Sequence, residues 1–474
     1  MGSSNSTLSP IEACLSAICN GRIECYHMPT SNLDQSWNKL YNLALDQYPR
    51  AIIRPNTADE VSQAVKCAKQ NGYKVQARGG GHSYGNFAQS ASGEVGMMID
   101  LVNLQNFQMN NASWQATVGA GFRLDGLDKL LHQNGGRAIA HGTCPGVGVG
   151  GHATVGGLGP MSRMWGAALD HVVEVEVVTA DGVVLRANED DNVDLFWALR
   201  GAGASFGIVT EFVFKTHPEP GSVVEYTYNL SFGEQKDMAP LFQQWQELVY
   251  DADLDRRFST LFIAEPLGAL ITGTFYGTKE EFDKTGIQKK MPSGGVANVA
   301  VKDWLGSLAH IAETTALYLS DLPTPFASKS LAFNREDKMS GESIETLFDY
   351  MGETDAGTLL WFVIFNSEGG AMADTPYDAT AYPHRDAIMM YQSYAIGIPA
   401  LTTTTSQFVS GVHDKIRQAA PEANTTYAGY VDISLDRSTA QWTYWGDKVP
   451  KLREIKQRYD ASNLFQNPQS IDLP

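Results

Sequence analysis

The stretch Arg78-Gly79-Gly80-Gly81-His82-Ser83-Tyr84-Gly85 follows a predicted strand, Lys74 to Ala77. Consecutive residues without side chains expose their backbone N–H groups, and such a loop can cradle a pyrophosphate. No Gly-Lys-Ser or Gly-Lys-Thr follows, and the glycine spacing is not that of a dinucleotide fingerprint that opens a helix. The stretch predicts an anion-binding loop that contains a histidine, with a purely structural turn as the alternative.

A second glycine-rich stretch, His141-Gly142-Thr143-Cys144-Pro145-Gly146-Val147-Gly148-Val149-Gly150-Gly151-His152, contains a cysteine. A cysteine among glycines has little to pack against, so we expect a ligand, a nucleophile or a covalent attachment point. A third stretch, Gly156-Gly157-Leu158-Gly159, continues the same predicted wall. Glycine makes up 45 of the 474 residues, and much of it lies between Arg78 and Gly207, where the backbone is expected to approach a ligand closely.

Charge and hydropathy exclude several classes of function. The chain has 35 Lys and Arg against 53 Asp and Glu, a formal net charge of −18, which repels phosphate backbones and anionic lipid surfaces. No apolar run approaches the ~18 residues of a membrane span. We therefore expect no nucleic-acid partner and no membrane association, and we expect a monomer without a metal site.

The four N-terminal cysteines, Cys14, Cys19, Cys25 and Cys67, lie far from Cys144, which fits two disulfides and one odd thiol. Residue spacing leaves all three pairings of the four open, and reduced cysteines in a cytosolic enzyme are the alternative. Secretion is favoured by Asn-x-Ser/Thr sequons at Asn5, Asn111, Asn229 and Asn424. The start, Met1 to Ser4, lacks the regions of a signal peptide, so an export signal would have been removed or never existed.

The predicted fold class is α+β. Helices at Thr57 to Gln70 and Leu124 to Gln133 alternate with short strands up to a break at Pro218-Glu219-Pro220-Gly221. Longer alternating strands follow, among them Val223 to Leu230 and Leu359 to Phe365, which predict an antiparallel sheet with helices such as Met238 to Val249. A last helix, Val449 to Tyr459, is expected to pack back on the first domain. The predicted domains are 1–220, 221–425 and 426–474.

Together, several motifs resemble the berberine-bridge-enzyme-like flavoproteins of the vanillyl-alcohol-oxidase superfamily. They are the His82 loop, Thr143-Cys144-Pro145 with Gly150-Gly151-His152, Asp194-Leu195-Phe196-Trp197 to Gly207, and Tyr459-Asp460 to Gln469-Ser470-Ile471. Within that superfamily the chain most resembles the fungal oligosaccharide oxidases, such as glucooligosaccharide oxidase. That similarity lies in Ile11 to Cys14, Ala138 to Cys144, Thr380 to Asp386 and Tyr427 to Asp432.

The resemblance implies an FAD-binding domain of two subdomains, a substrate domain whose antiparallel sheet is covered by helices, and a C-terminal segment that returns to the first domain. It also implies FAD joined covalently to His82 through the 8α-methyl group and to Cys144 through C6. The other implied cofactor contacts are Arg78, Gly79, Gly80, Gly81, Ser83, Tyr84, Thr143, Gly146, Val147, Gly150, Gly151, His152, Gly157 and Ile208. Cys14 and Cys67 match the disulfide of the family, whereas Cys19 and Cys25 have no counterpart.

The resemblance further implies oxidation of the C1 hydroxyl of reducing-end oligosaccharides to the lactone. Hydride would pass to flavin N5 and then electrons to O2, giving H2O2. Tyr430 matches the family's tyrosine base, although a phenol with a pKa of about 10 needs help to ionise. Asn366 stands where the oligosaccharide oxidases pair an aspartate with that tyrosine. An asparagine amide could donate a hydrogen bond to the phenolate instead.

Substrate specificity is less determined. Gln392 and Tyr84 match sugar-contacting positions of the family, and Trp361 is predicted to stack on a pyranose face. Leu261 and Ile263 stand where glucooligosaccharide oxidase has charged sugar ligands, so the outer subsites are expected to differ. The alternatives are a secondary-metabolism oxidase of an apolar substrate, a protein that binds sugar without turnover, and a dehydrogenase with a quinone-type acceptor. A small residue after Cys-Pro-x, Val147, favours O2 as the acceptor.

Overall fold

A computed structural model describes residues 8–31, 36–89, 95–292, 296–315 and 322–474. The elements of its first region are α1 (Pro10–Cys19), β1 (Tyr26–His27), β2 (Ala51–Ile53), α2 (Ala58–Gln70), β3 (Lys74–Arg78), β4 (Gly96–Asp100), β5 (Phe107–Asn110), β6 (Gln115–Gly119), α3 (Leu124–Gln133), β7 (Arg137–Ala138), α4 (Val149–Val155), α5 (Ser162–Trp165), β8 (Val172–Val178), β9 (Val184–Asn188), α6 (Val193–Ala202), β10 (Ile208–Lys215) and β11 (His217–Pro218).

The strands of the first region form two main sheets. One is mixed, in the order β1-β2-β4-β3, and the other is antiparallel, in the order β5-β6-β10-β8-β9. α2 begins where the Thr57 hydroxyl accepts from the Glu60 N–H, but the Glu60 carboxylate accepts from the Asn56 N–H rather than that of Thr57. Half of the reciprocal capping box that Thr57 and Glu60 predict is therefore present.

The second region contains β12 (Val223–Phe232), α7 (Ala239–Val249), β13 (Phe258–Glu265), β14 (Gly268–Tyr276), α8 (Lys279–Thr285), β15 (Val296–Lys302), α9 (Trp304–Thr315), β16 (Phe326–Phe333), α10 (Gly341–Glu353), β17 (Trp361–Ser367), β18 (Met389–Ile396) and α11 (Thr403–Ala419). Its strands form one antiparallel sheet in the order β15-β12-β14-β13-β17-β18-β16. Alternate side chains of a strand point to opposite faces, so one face of this sheet packs under α7, α10 and α11 and the other faces the first region.

The C-terminal segment, with α12 (Arg437–Trp445) and α13 (Val449–Tyr459), packs into the core of the first region. The Trp445 indole N–H donates to the Gly201 carbonyl at 2.9 Å. On α13 the buried Lys456 ammonium pairs with Asp460 at 2.6 Å and also donates to the Ser205 carbonyl. These contacts tie the C-terminal segment to the first region. The predicted α+β class is confirmed. The domain boundaries at 220 and 425 stay a proposal.

Two disulfides join the N-terminal cysteines. Cys14 of α1 is bonded to Cys67 of α2, and Cys19 is bonded to Cys25. The sequons at Asn111 and Asn424 are exposed, whereas Asn5 and Met1 to Ser4 lie outside the described residues. Among the helices of the described ranges, none has the length and apolar character needed to cross a bilayer.

Candidate functional site

Two glycine loops pack backbone against backbone. A Cβ atom on Gly80 would lie 2.2 Å from the Gly148 nitrogen and 2.6 Å from the Gly146 oxygen. A Cβ atom on Gly148 would lie 1.9 Å from the Gly80 nitrogen. Real Cβ atoms do not approach other atoms this closely, so neither position has room for a side chain. The loop that carries His82 and the loop that carries Cys144 are thereby held side by side.

These loops form one wall of a cleft, which we call the glycine cleft. Of the predicted cofactor contacts, its lining includes Arg78, Gly79, Gly80, Gly81, His82, Ser83, Tyr84, Thr143, Cys144, Val147, Gly151 and His152. Three predicted glycines lie behind or beside this wall: Gly146, Gly150 and Gly157. Ile208 of β10 is buried in the core of the first region and is not among the residues that line the cleft, so its contact with the cofactor stays a prediction.

Hydrogen bonds hold the two loops in place. The Arg78 guanidinium donates to Asp100 at 2.5 Å and to the Asn38 carbonyl at 2.8 Å, so Arg78 anchors the base of its loop. His152 Nε2 accepts from the Gly142 N–H at 2.9 Å. Burial, with smaller contributions from neighbouring histidines, lowers the pKa of His152 to about 3. His152 is therefore neutral and braces the loop that carries Cys144, which is in neither disulfide.

The opposite wall of the glycine cleft comes from the C-terminal segment. The Tyr427 hydroxyl accepts from the Gly157 N–H at 2.9 Å, and the Tyr430 ring stacks on the Tyr84 ring with centroids 6.1 Å apart. Burial raises the pKa of Tyr430, and the nearby Glu368 raises it further. Tyr430 is thus a neutral phenol across the ordinary pH range.

A second cleft, which we call the sheet cleft, lies under the antiparallel sheet and meets the glycine cleft at Tyr430, Thr143 and Leu158. Its apolar lining includes Leu261, Ile263 and Ile364 on adjacent strands β13 and β17. Its polar lining includes Glu225, Thr227, Ser259, Thr272, Thr274, His310, Asn366, Glu368 and Gln392. Gln392 is 2% exposed, and its carbonyl accepts from the Tyr84 hydroxyl at 3.2 Å.

The structure therefore brings Tyr430, Asn366, Gln392 and Tyr84 together, but not Trp361. The Trp361 ring lies on the helix-covered face of the sheet, 5.3 Å from the Phe408 ring of α11, so its prediction as a substrate contact is wrong. β17 begins at Trp361 and alternates from there, which turns Phe362, Ile364 and Asn366 toward the cleft and Trp361 away from it.

Two buried acids of the sheet cleft escaped the sequence analysis. Glu368 is 5% exposed, and Glu225 is 5% exposed and pairs with His310 at 2.7 Å. For Glu368 a signal existed, because it follows Asn366 by two residues and the period of a strand is two. Glu225 and His310 lie 85 positions apart in the sequence, so no local pattern connects them.

A cleft with a bare glycine wall fits the pyrophosphate of a dinucleotide, and His82 and Cys144 in its lining fit covalent attachment to that ligand. No group of three or more His, Cys, Asp or Glu side chains that could hold a metal ion is found in the parts of the chain that the structure describes.

Two family models match the chain: an FAD binding domain over residues 49–188, and "Berberine and berberine like" over residues 426–472. The chain is 36% identical to the FAD-linked oxidoreductase sorD of Penicillium rubens, with 98% of both chains covered. It is 32% identical to the xylooligosaccharide oxidase of Thermothelomyces thermophilus, over 91% of this chain and 89% of that one.

Solved structures of two sugar oxidases have the same fold. The xylooligosaccharide oxidase of Myceliophthora thermophila C1 in complex with xylobiose superposes with a TM-score of 0.88 at 29% identity, covering 98% of this chain and 100% of that one. The glucooligosaccharide oxidase of Acremonium strictum, whose structure is described as having a 6-S-cysteinyl, 8α-N1-histidyl FAD, superposes with a TM-score of 0.87 at 29% identity, over 98% and 99%.

Proposed function

The chain belongs to the berberine-bridge-enzyme-like FAD-linked oxidoreductases of the vanillyl-alcohol-oxidase superfamily, and on that premise we propose that it oxidises the C1 hydroxyl of reducing-end oligosaccharides to the lactone. The observation that carries the proposal is the meeting of the two clefts at Tyr430. A sugar in the sheet cleft would lie against Tyr430, which also borders the glycine cleft.

FAD would be held covalently by His82 and Cys144, whose side chains share the lining of the glycine cleft. When bound, the flavin would accept hydride at N5 and pass electrons to O2, giving H2O2. Acid-precipitated wild-type protein should stay yellow, and the double variant His82→Ala with Cys144→Ala should lose its colour. Release of flavin from denatured wild type would show that the attachment is not covalent.

The protein's own groups would position the sugar and move its proton. The buried Gln392 amide and the Tyr84 hydroxyl, joined at 3.2 Å, would orient the hydroxyls of the reducing-end ring. Tyr430 would accept the C1 hydroxyl proton as hydride leaves carbon. Because its phenol is neutral, Tyr430 must release its own proton when it takes up another. Asn366 lines the same cleft, and among the described residues no hydrogen bond joins its amide to Tyr430.

A second candidate is oxidation of an apolar, alkaloid- or polyketide-like substrate. This activity is favoured by the apolar side chains that line the sheet cleft, namely Leu261, Ile263 and Ile364. The similarity to an FAD-linked oxidoreductase whose name specifies no sugar is compatible with it. The polar side chains of Gln392 and Tyr84 lie next to Tyr430, where the substrate would react, and they favour a sugar there. Oligosaccharide oxidation is therefore the primary proposal.

The test is anaerobic bleaching of the flavin. We expect rapid bleaching by at least one member of a panel of cello-, xylo- and chito-oligosaccharides, with the lactone or its acid detected by mass spectrometry. Tyr430→Phe should bind the same sugar but bleach slowly. Bleaching by an aromatic polyketide while the whole sugar panel leaves the flavin oxidised would overturn the sugar proposal in favour of the second candidate.

We also propose that the native protein is secreted, with electrons passed to O2 rather than to a quinone-type acceptor. The disulfides between Cys14 and Cys67 and between Cys19 and Cys25 support an oxidising compartment. Peptide mapping without reductant, on protein from a secretory host, should recover both disulfide-linked pairs. Alkylation of Cys14 without prior reduction would contradict this.

A further inference from the structure

The main chain holds Glu368 at the end of β17. Its N–H donates to the Ile388 carbonyl at 2.8 Å, and its carbonyl accepts from Arg163 of α5. Ile388 precedes Met390 by two residues, and Met390 packs in the cluster of Tyr382, Tyr427 and Tyr430. The Glu368 side chain is buried yet contributes to the lining of the sheet cleft. The Glu368 carboxyl group is therefore fixed in the lining of the cleft that Tyr430 also lines, and among the described residues no hydrogen bond joins the two side chains.

The Glu368 carboxyl is a buried acid without an ion pair among the described residues. Arg163, the nearest cation acting on it, donates instead to backbone carbonyls, including those of Phe258 at 2.8 Å and Leu254 at 3.1 Å. Burial raises the pKa of Glu368 to about 8, and Arg163 opposes that rise. The carboxyl can thus exist in either protonation state in the neutral to mildly alkaline range.

Glu368 acts electrostatically on three tyrosines that pack in one cluster. Burial raises the pKa of Tyr382, Tyr427 and Tyr430, and the charge of Glu368 raises it further, so ionised Glu368 and an ionised phenol disfavour each other. A negative charge is therefore held on the carboxylate rather than on Tyr430. Tyr430 can act on a hydroxyl proton only as a relay, and the relay needs an acceptor.

Resting on the function proposed above, we propose that Glu368 is the proton acceptor to which Tyr430 passes the proton of the substrate hydroxyl. The substrate O–H bond breaks as Tyr430 Oη gains its proton, and the original Tyr430 proton leaves into the cleft that both residues line and forms an O–H bond on the Glu368 carboxylate. The electron pair of the substrate C–H bond leaves as hydride to the FAD, and the C–O bond becomes a carbonyl. Atoms, charges and electrons balance with no further reagent.

Asn366 cannot act as the proton acceptor. It lies one strand period before Glu368 and lines the same cleft, but a neutral amide does not take up a proton at ordinary pH. Glu225, the other buried acid of the cleft, is engaged with His310 at 2.7 Å. Among the acids that line the cleft, Glu368 is the one that acts electrostatically on Tyr430.

The first experiment measures flavin reduction by stopped flow against pH, with a sugar that reduces the wild type. Wild-type reduction should accelerate as pH rises through the pKa of Glu368, about 8. Glu368→Gln should reduce its flavin about 10²-fold more slowly and lose that inflection, and Glu368→Asp should recover part of the rate. The control is Glu265→Gln, a substitution at an acid of β13 outside the cleft lining whose pKa burial also raises; it should behave as wild type.

The second experiment needs no substrate. Infrared difference spectra of the substrate-free holoenzyme should show a protonated carboxyl band that titrates with a midpoint near 8 and is missing in Glu368→Gln. Wild-type rate and inflection in Glu368→Gln, or loss of the band well below neutral pH, would overturn the role of Glu368. If Glu368→Gln does not fold, an inflection unmoved in Glu368→Asp would overturn it. If no sugar reduces wild-type flavin, the proposed function fails while the infrared result stands.

Discussion

The two walls around Tyr430 are built in opposite ways. The glycine wall consists of two short loops, 79–81 and 146–148. Their backbones touch because Gly80 and Gly148 have no side chains. The sheet wall consists of side chains from strands far apart in sequence, such as Leu261, Ile364 and Gln392. A wall of backbone tolerates no added atoms, whereas a wall of side chains can change its chemistry one residue at a time. We therefore expect the first to determine whether cofactor is held and the second to determine what is oxidised.

The largest expected effect is that of one methyl group on the glycine wall. Gly148→Ala would place a Cβ atom 1.9 Å from the Gly80 nitrogen, so the two loops must separate. We expect a loss of about 3 kcal/mol or more in the free energy of unfolding, as in severe overpacking, and loss of bound flavin. Urea unfolding and flavin absorbance measure the two effects.

Gly221→Ala is the matched control for Gly148→Ala, because its new methyl group would meet no atom within 4 Å. It should unfold and bind flavin as wild type does. Normal flavin content in Gly148→Ala would mean that the glycine wall tolerates a side chain, and the contrast between the walls would fail.

The next effect compares the two faces of the sheet region. Tyr430→Phe removes the relay hydroxyl at the cleft and should slow flavin reduction about 10²-fold at unchanged stability. Tyr391→Phe, on the helix-covered face, removes a hydrogen bond to His413 of 2.6 Å and should cost about 1 kcal/mol of stability at an unchanged reduction rate. Stopped-flow reduction and urea unfolding of both variants test this. Equal rates for wild type and Tyr430→Phe would remove Tyr430 from the mechanism.

A smaller effect concerns stability and pH. The pKa of Glu368 is raised from 4.5 to about 8 in the folded protein, so between these values the unfolded chain is ionised there and the folded chain holds the proton. The contribution of Glu368 to stability is then full below the unfolded pKa and falls as pH rises toward 8. The Glu368→Gln variant should not lose this part of its stability as pH rises.

Urea unfolding at about pH 5 and about pH 8.5 should therefore show Glu368→Gln gaining on wild type at the higher pH. Glu265→Gln should gain less stability relative to wild type at the higher pH, because Glu265 is only half-buried. An identical pH dependence in wild type and Glu368→Gln would mean that Glu368 ionises normally in the folded protein.

The smallest effect belongs to Val147, which lines the glycine cleft. Val147→Leu adds one methylene where O2 would approach the flavin. It should slow reoxidation of the reduced enzyme by roughly tenfold, about 1.4 kcal/mol in the barrier, and leave reduction by sugar unchanged. Mixing anaerobically reduced enzyme with aerated buffer measures this. Reoxidation of wild type over minutes, beside rapid turnover with a quinone, would identify a dehydrogenase.

Much of the fold was predictable because its signals are local. α3 and α13 have the bounds that the sequence predicts, Leu124–Gln133 and Val449–Tyr459. The family, the fold class and the enzyme class followed from motifs that are contiguous in sequence, and the comparisons confirm them. Periodicity and glycine spacing act over a few residues, so a single chain displays them in full.

By itself, the sequence determined the glycine wall, since the sequence alone shows that Gly80 and Gly148 have no side chains. Only the tertiary structure decided which face of β17 meets the ligand. Packing of α11 against Trp361 turns that side chain away and leaves Asn366 and Glu368 at the cleft. Burial then raises the pKa of Glu368, and burial depends on residues that are far apart in the sequence.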